Sequence, residues 1–194
     1  MSIKHIANSV LPTRFGEFVI HAFVDEDKKE HIVLVKDKKG LVTPAVRLHS
    51  KCFTGDTLGS MKCDCRDQLE MAMRYISDKG GILIYLDQEG RGIGLANKIK
   101  AYSLQDAGFD TVEANYNLGF EDDLRDYKTA AEILKYFGAA RIRIITNNPR
   151  KIKNLEGNGI EIAERIPLKT KSNKFNKGYM KTKKEKLKHL IENR

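Results

Sequence analysis

The chain has no tryptophan, four prolines and three cysteines among its 194 residues, and it has no long apolar run. Its longest apolar stretches, such as Gly81–Leu86, are too short to cross a bilayer. The first residues, Met1–His5, lead into mixed polar sequence without a signal-peptide core. We therefore expect a soluble cytoplasmic protein, in which an odd number of cysteines favours ligands or core residues over disulfides.

The formal net charge is +9, but the excess of basic residues is not distributed evenly along the chain. Eleven of the 35 basic residues but only two of the 26 acidic ones lie in residues 165–194. The rest of the chain carries 24 residues of each sign, so a basic nucleic-acid-binding surface is not indicated. Three interpretations of the basic end stay open: a solvated end, an electrostatic attraction for an anionic substrate, and a weak nucleic-acid contact.

The apolar pattern predicts strands first and then alternating elements. Apolar runs at 15–24, 31–35 and 41–49 are separated by charged turns and predict an antiparallel meander, with Pro44 indicating an edge strand. Beyond residue 66 the pattern predicts helices and strands in alternation. They are a helix ending near Gly80, a strand at 82–86, a helix at 95–105, a helix at 127–137, a strand at 141–146, a helix from Pro149 and a strand at 160–166. Between the second and third helices lies a short piece at 110–116, for which an extended conformation is one interpretation.

These elements predict an α/β fold in which an N-terminal antiparallel β meander is followed by alternating strands and helices in a layered mixed sheet. A hydrophobic content of 41% is enough for a real core. We expect residues 1–168 to form a single domain. Residues 169–194 would form a basic C-terminal tail, with a short helix at 182–192.

All the cysteines lie between Arg47 and Gln68, as Cys52, Cys63 and Cys65 in the spacing Cys-x10-Cys-x-Cys. Structural zinc sites use four protein ligands, whereas three ligands plus water is the catalytic pattern. His49 could supply a fourth ligand, and three reduced core cysteines are the alternative, which their polar neighbours disfavour. The stretch therefore predicts an open zinc site, where the pKa of bound water falls to about 7. The spacing of the zinc nucleobase deaminases is absent.

Two further segments indicate phosphate binding. The turn at 87–94 follows a strand and precedes a helix, as in sites where backbone N–H groups receive a phosphate, but its spacing matches no nucleotide motif and a plain tight turn stays open. Asn148 and Pro149 suit the start of a helix. Cations in a first helical turn are unfavourable unless an anion is present, and this turn has three, Arg150, Lys151 and Lys153.

Four stretches resemble GTP cyclohydrolase II, the enzyme that opens riboflavin biosynthesis: residues 47–70, 87–115, 118–127 and 145–160. The resemblance runs in order from Leu11-Pro12-Thr13 to the lysine-rich end, and no segment resembles the dihydroxybutanone-phosphate synthase often fused to this enzyme. It implies that GTP loses carbon 8 as formate and its terminal phosphates as pyrophosphate. The product would be 2,5-diamino-6-ribosylamino-4-pyrimidinone 5′-phosphate.

The resemblance also implies roles for individual residues. Cys52, Cys63 and Cys65 would bind one zinc ion, whose water attacks carbon 8. Arg125 matches a proposed nucleophile toward the α-phosphate and Asp123 its base, while phosphate stabilisation by Arg125 is the conservative alternative. Tyr102 matches a tyrosine that assists the formate-releasing hydrolysis, the alternative being a core aromatic residue.

The implied contacts to GTP fall in several places along the chain. Charge-assisted bonds from Arg47, Arg91 and Lys151 would suit a triphosphate with Mg²⁺. The family also implies a homodimer, and we expect neither membrane nor nucleic acid as a partner. The full set of implied substrate residues is Arg47, Leu48, His49, Ser50, Lys51, Gln68, Glu89, Gly90, Arg91, Thr111, Thr146 and Lys151.

Three positions depart from the family pattern: Lys51 in place of Glu, Leu86-Asp87 in place of a His-Arg-like pair, and Arg66-Asp67 in place of a Gly-aromatic pair. The change at Lys51 reverses the charge beside the metal. Two other hypotheses therefore stand beside the leading one. The chain could be a paralogue that gives a different or partial ring-opening product, or a zinc-stabilised nucleotide- or RNA-binding protein that uses the basic tail.

Overall fold

The computed structural model describes residues 2–37, 40–121, 123–185, 187 and 189–190, except for the side chain of Thr111. The chain divides into two compact units. The first contains Met1–His49, Leu69–Asp87 and Asp126–Leu168, and the second contains Ser50–Gln68, Gln88–Arg125 and Lys169–Arg194. None of the helices in the described ranges has the length and hydropathy of a membrane span. A single catalytic domain over 1–168 stays a prediction.

A mixed sheet forms the centre of the first unit, as the sequence predicted. Its seven strands have the order β1-β2-β3-β5-β4-β6-β7. Pairing is antiparallel between β1 and β2, β2 and β3, and β3 and β5, whereas β4 with β6 and β6 with β7 are parallel. The strands are β1 Lys4–Thr13, β2 Gly16–Val24, β3 Glu30–Lys36, β4 Ala45–Ser50, β5 Gly81–Leu86, β6 Arg141–Ile145 and β7 Glu161–Ile166.

The predicted third strand of the meander is wrong. Strand β4 begins after Pro44 and lies inside the sheet between β5 and β6, not at an edge. Its residues are buried on both faces, which is typical of a parallel strand. The meander is instead completed by β1, whose mostly exposed residues gave no apolar signal. A Cβ on Gly81 would stand 2.2 Å from the Ala45 carbonyl oxygen, so only glycine fits where β5 passes β4.

Helices of the first unit pack against the two faces of this sheet. Side chains alternate along β5, so that Ile82 and Ile84 enter one core cluster while Leu83 enters the other. The first cluster holds Ile133 and Leu134, and the second holds Ile76. Each such side chain contributes about 1.5–3 kcal/mol through burial. Over both units, the helices of the described residues are α1 Cys65–Lys79, α2 Gly94–Asp106, α3 Thr111–Asn117, α4 Lys128–Tyr136, α5 Pro149–Gly157 and α6 Lys177–Glu185. Of these, α2, α3 and α6 belong to the second unit.

Two expectations about helices are corrected. The piece at 110–116 is helix α3 and not an extended segment, because the Asp110 carboxylate accepts from the N–H groups of Val112 and Glu113 in a capping box. The tail helix lies at Lys177–Glu185, earlier than the predicted 182–192. Of that predicted range, Lys186, Lys188 and 191–192 lie outside the described residues.

Candidate active site

The cysteine stretch forms a compact loop in the second unit. After Cys52 the chain makes a π-helical turn, Phe53–Thr57, a form that is common at functional sites. The Asp56 carboxylate accepts the Cys52 backbone N–H at 3.1 Å and holds the start of this turn. The sulfurs of Cys52, Cys63 and Cys65 lie within 4.8 Å of one another, and no disulfide joins them.

This arrangement fits a zinc ion. Two thiolates bound tetrahedrally at about 2.3 Å from zinc stand about 3.8 Å apart. The sulfurs of Cys52 and Cys63 are separated by 3.8 Å. Gly55 leaves the space that the sulfurs occupy, since a Cβ there would meet Cys63 Sγ at 2.8 Å and Cys52 Sγ at 3.1 Å. His49, considered as a fourth ligand, belongs to the first unit, where its ring stacks on Tyr85.

The thiols compete for a single negative charge. Hydrogen bonds from Cys63 and Cys65 lower the pKa of Cys52, which becomes the thiolate of the group. The hydrogen bond to Cys52 raises the pKa of Cys63 to about 11, and Cys52 and Cys63 raise that of Cys65 well above its usual value. A bound divalent cation stabilises thiolates, so metal binding here would release protons.

Lys98 is a member of this site that the sequence analysis did not identify. Its ammonium donates to Cys52 Sγ at 3.1 Å and to Glu89 Oε1 at 2.8 Å. Burial alone would lower the pKa of Lys98, but the hydrogen bond to Glu89 and the Cys52 thiolate raise it. Glu89 in turn accepts the Phe53 N–H at 2.6 Å. The Lys98 ammonium is therefore a fixed positive charge in contact with the Cys52 thiolate.

Tyr102 lies beside the cysteines. It follows Lys98 by one turn of α2, and its hydroxyl is 3.4 Å from Thr54 Oγ1. Thr54 Oγ1 is in turn 3.8 Å from Cys52 Sγ. The Lys62 ammonium lies 5.0 Å from the centre of the tyrosine ring. Burial raises the pKa of Tyr102, so its phenol stays protonated at neutral pH.

Arg125 and Asp123 form a two-bond ion pair in the same unit. Asp123 accepts from Arg125 Nε at 2.7 Å and from Nη2 at 2.6 Å, while Nη1 donates to Ser50 Oγ at 3.3 Å. Burial alone would raise the pKa of Asp123, but the Arg125 guanidinium holds it below its usual value. The pair therefore presents a fixed cation with one edge bound to a carboxylate.

The glycine-rich turn packs against this pair. Gly90 and Arg91 both have φ of 61°, which is a left-handed conformation rare for arginine. The Arg91 carbonyl accepts the Leu124 N–H at 3.1 Å, and a Cβ on Gly92 would stand 3.1 Å from Leu124 Cβ. Strained backbone at such a turn is common at binding sites. The turn thus places Arg91 next to the Asp123-Arg125 segment.

The first unit gathers another part of the predicted set. Lys151 is buried at the start of α5, and its ammonium donates to the Leu48 carbonyl at 2.6 Å. Arg47 Nη1 donates to the Ile145 carbonyl at 3.0 Å, and Thr146 Oγ1 accepts the Asn148 N–H at 3.0 Å. Backbone carbonyls thus satisfy part of the hydrogen bonding of two buried cations.

The other predicted substrate residues are spread over the second unit. Gln68 donates to Asp64 Oδ2 at 2.6 Å, Ser50 to Gln88 Oε1 at 3.4 Å, and Lys51 is half-buried next to Cys52. Thr111 begins α3, and its side chain lies outside the described part of the chain. Substrate contacts at all these positions stay predictions.

The positions that depart from the family pattern have local structural roles. Leu86 is fully buried in the core. The Asp87 N–H donates to His31 Nδ1 at 3.1 Å, and Arg66 Nη1 donates to the Asp56 carbonyl at 3.4 Å. Arg66 thus binds the backbone of the turn that follows Cys52.

Comparison with known proteins identifies one family. The sequence model of GTP cyclohydrolase II matches residues 4–167. GTP cyclohydrolase-2 of Azotobacter vinelandii is 53% identical over 194 residues, covering 98% of this chain and 93% of the relative. GTP cyclohydrolase-2 of Picrophilus torridus is 50% identical over 191 residues, covering 97% of this chain and 100% of the relative.

Other relatives are longer. Riboflavin biosynthesis protein RibBA of Staphylococcus saprophyticus is 51% identical over 181 residues, which is 93% of this chain but 46% of the relative, so the chain spans about half of that protein. Among solved structures, RibBX, a two-domain 3,4-dihydroxy-2-butanone 4-phosphate synthase from A. baumannii, covers 88% of this chain and 41% of its own at a TM-score of 0.45 and 18% identity. That likeness is too weak to carry an argument.

Proposed function

This chain belongs to the GTP cyclohydrolase II family, and on that premise we propose that it hydrolyses GTP to formate, pyrophosphate and 2,5-diamino-6-ribosylamino-4-pyrimidinone 5′-phosphate. The observation that carries the proposal is the convergence of Cys52, Cys63 and Cys65 on one point, in a chain that matches the family from residue 4 to residue 167. The reaction would open riboflavin biosynthesis.

Cys52, Cys63 and Cys65 would hold one zinc ion, because the sulfurs of Cys52 and Cys63 have the spacing of a tetrahedral thiolate site and all three sulfurs lie within 4.8 Å of one another. When bound, zinc would supply a water molecule activated near neutral pH for attack on carbon 8. Lys98 would offset the charge of the thiolates, since its ammonium already donates to Cys52 Sγ. Glu89 would hold Lys98 in that position.

Tyr102 would act in the second hydrolysis at carbon 8, in which formate is released. Its phenol is protonated at neutral pH and lies near Thr54, at the cysteine group. A protonated phenol can donate to the oxygen of a formamide and stabilise negative charge that develops there. A variant without this hydroxyl would stop at the ring-opened formamide.

For Arg125 the geometry supports phosphate stabilisation better than nucleophilic attack. Its Nε and Nη2 are bound to Asp123, and an arginine side chain remains protonated at neutral pH. Asp123, with its pKa held low by this pairing, is a weak base. We therefore assign Arg125 to binding the α-phosphate and Asp123 to orienting it, and the covalent role stays a prediction.

We assign the predicted cations Arg47, Arg91 and Lys151 to binding the triphosphate, with Mg²⁺ on the phosphate oxygens. Thr146 stays a predicted substrate contact. The chemistry of these groups suits an anionic substrate. The homodimer and the cytoplasmic location stay predictions.

The proposal is tested by incubating purified, zinc-loaded protein with GTP and Mg²⁺ and measuring formate and pyrophosphate separately. We expect both to appear in equal amounts, and Cys63→Ser to lose zinc and formate release together. Pyrophosphate without formate would identify a paralogue that stops part-way. If the zinc-loaded protein released neither, the proposed function would be wrong.

A further inference from the structure

The carboxylate of Asp64, between two of the cysteines, is held by side chains from distant parts of the sequence. Asp64 is 1% exposed. Its Oδ2 accepts from Gln68 Nε2 at 2.6 Å and from Thr170 Oγ1 at 2.9 Å, and its Oδ1 accepts from Lys183 Nζ at 2.5 Å. Thr170 and Lys183 both belong to the basic end of the chain, which lies beyond residues 4–167 matched by the family model.

Lys183 is not a solvated charge. Its side chain is 9% exposed, and its ammonium lies 4.5 Å from the centre of the Tyr179 ring, one turn earlier in α6. Burial alone would lower the pKa of Lys183, but Tyr179 and the Asp64 carboxylate raise it. An isolated buried charge is costly, so the two charges depend on each other.

A second contact ties the tail to the same loop. Asn173 Nδ2 donates to the Met61 carbonyl at 3.3 Å, and Asn173 Oδ1 accepts the N–H groups of Phe175 and Asn176, which precede α6. The tail therefore contacts the loop on both sides of Cys63, at Met61 and at Asp64. These contacts restrict the backbone that presents the Cys63 and Cys65 sulfurs.

We propose that Lys183 is a positioning residue for the metal site, and that the segment 169–185 clamps the Cys63-Asp64-Cys65 backbone in its metal-binding conformation. The inference rests on the proposed zinc site and extends it to a segment beyond the residues that the family model matches. Mutating residues that hydrogen-bond and orient the ligands of a metal typically lowers metal affinity by about 10–100-fold. The clamp acts by preorganisation, because the sulfurs of Cys63 and Cys65 are already in position when the ion arrives.

The test compares the zinc affinity of Lys183→Met and wild type by competition with a chromogenic chelator. We expect Lys183→Met to bind zinc roughly 10–100-fold more weakly. The matched control is Lys181→Met in the same helix, whose side chain is 72% exposed and which should bind zinc as wild type does. The double variant Asp64→Asn, Lys183→Met leaves no buried charge unpaired. Its fold-loss of zinc affinity should therefore be smaller than the product of the fold-losses of the two single variants.

Each outcome decides the inference. Wild-type affinity in a folded Lys183→Met overturns the clamp while leaving the proposed function intact. Wild-type protein that holds no zinc overturns the proposed metal site, and the clamp with it. If Lys183→Met does not fold, Thr170→Val serves instead: it removes one donor to Asp64, so weaker zinc binding supports the clamp and unchanged binding overturns it.

Discussion

Gly55 makes room for the three cysteine sulfurs, and one added methyl group should fill that room. A Cβ at this position would stand 2.8 Å from Cys63 Sγ and 3.1 Å from both Cys52 Sγ and Cys65 Cβ. We predict that Gly55→Ala lowers zinc affinity at least tenfold, because the ligands must move apart. Chelator competition measures the effect.

Gly157→Ala is the control for Gly55→Ala. Gly157 lies in α5 with nothing within 4 Å of an added Cβ, so alanine there should leave zinc binding unchanged. Equal zinc affinity of the two variants would show that the cavity at Gly55 does not define the metal site.

Asp123 should contribute a pH-dependent part of the stability. Its pKa in the folded protein lies below the value of about 3.9 in an unfolded chain, because it is paired with Arg125. The stabilisation is therefore fully present above that unfolded pKa and is lost as the pH falls through the folded pKa. We predict that Asp123→Asn lowers the free energy of unfolding by about 1.5–3 kcal/mol at neutral pH, since it removes the carboxylate that accepts from Arg125 Nε and Nη2.

Urea unfolding of wild type and Asp123→Asn between about pH 2 and 7 measures this contribution. The difference in unfolding free energy should be constant near neutrality and shrink as the solution becomes acidic. A difference that does not change with pH would contradict the ionised state of Asp123.

At the residue scale, the predictable part of the site was the part that is local in sequence. Residue type and spacing were enough to identify Cys52, Cys63 and Cys65 as candidate ligands. Lys98 and Lys183 gave no such signal, because Cys52 and Asp64, to which they donate, are 46 and 119 residues away in sequence. A single buried lysine looks like any surface lysine until the fold supplies its partner.

Helix α3 shows the same dependence on local signals at the scale of an element. Its start is fixed by the Asp110 capping box, in which Glu113 also accepts the Asp110 N–H at 2.9 Å. We predict that Asp110→Ala destabilises the protein by about 1 kcal/mol, measured by urea unfolding. Asp78→Ala, at an exposed ion pair near the end of α1, should change stability by less than about 0.5 kcal/mol. A neutral Asp110→Ala would mean that the cap does not hold α3.

Most elements followed from periodicity, and the exceptions have physical causes. The D-x-x-E pattern at Asp110 was present but carries little apolar periodicity, so the helix was missed. Strand β4 was read as an edge because of Pro44, whereas the proline only precedes a buried parallel strand. Strand β1 is mostly exposed, and therefore has little apolar alternation for a sequence pattern to detect.

At the scale of the whole molecule, zinc should stabilise the fold as well as serve chemistry. A ligand that binds only the folded state adds about 4 kcal/mol at a thousand times its Kd. We predict that removing the metal with a chelator lowers the melting temperature, and that added zinc restores it. Cys63→Ser is the control and should show no response to zinc. An unchanged wild-type melting temperature would contradict a zinc site built from these thiols.

Not all of the basic charge at the C-terminal end is exposed to solvent. The sequence placed the entire excess of +9 in residues 165–194 and suggested a solvated end as one interpretation. In the structure Lys183 of that segment is buried on Asp64, so part of the charge is internal. Lys183 therefore binds within the protein and is not available as an RNA contact, which weakens the hypothesis of RNA binding by the tail.

The most direct test of the central claim follows carbon 8 of GTP. The zinc-loaded protein is incubated with Mg²⁺ and GTP carrying ¹³C at carbon 8, and the label is followed by NMR. A GTP cyclohydrolase II should move the label into free formate and leave an unlabelled pyrimidine monophosphate, whose mass confirms the product. Label that remains in intact guanine, with no formate formed, would contradict the account.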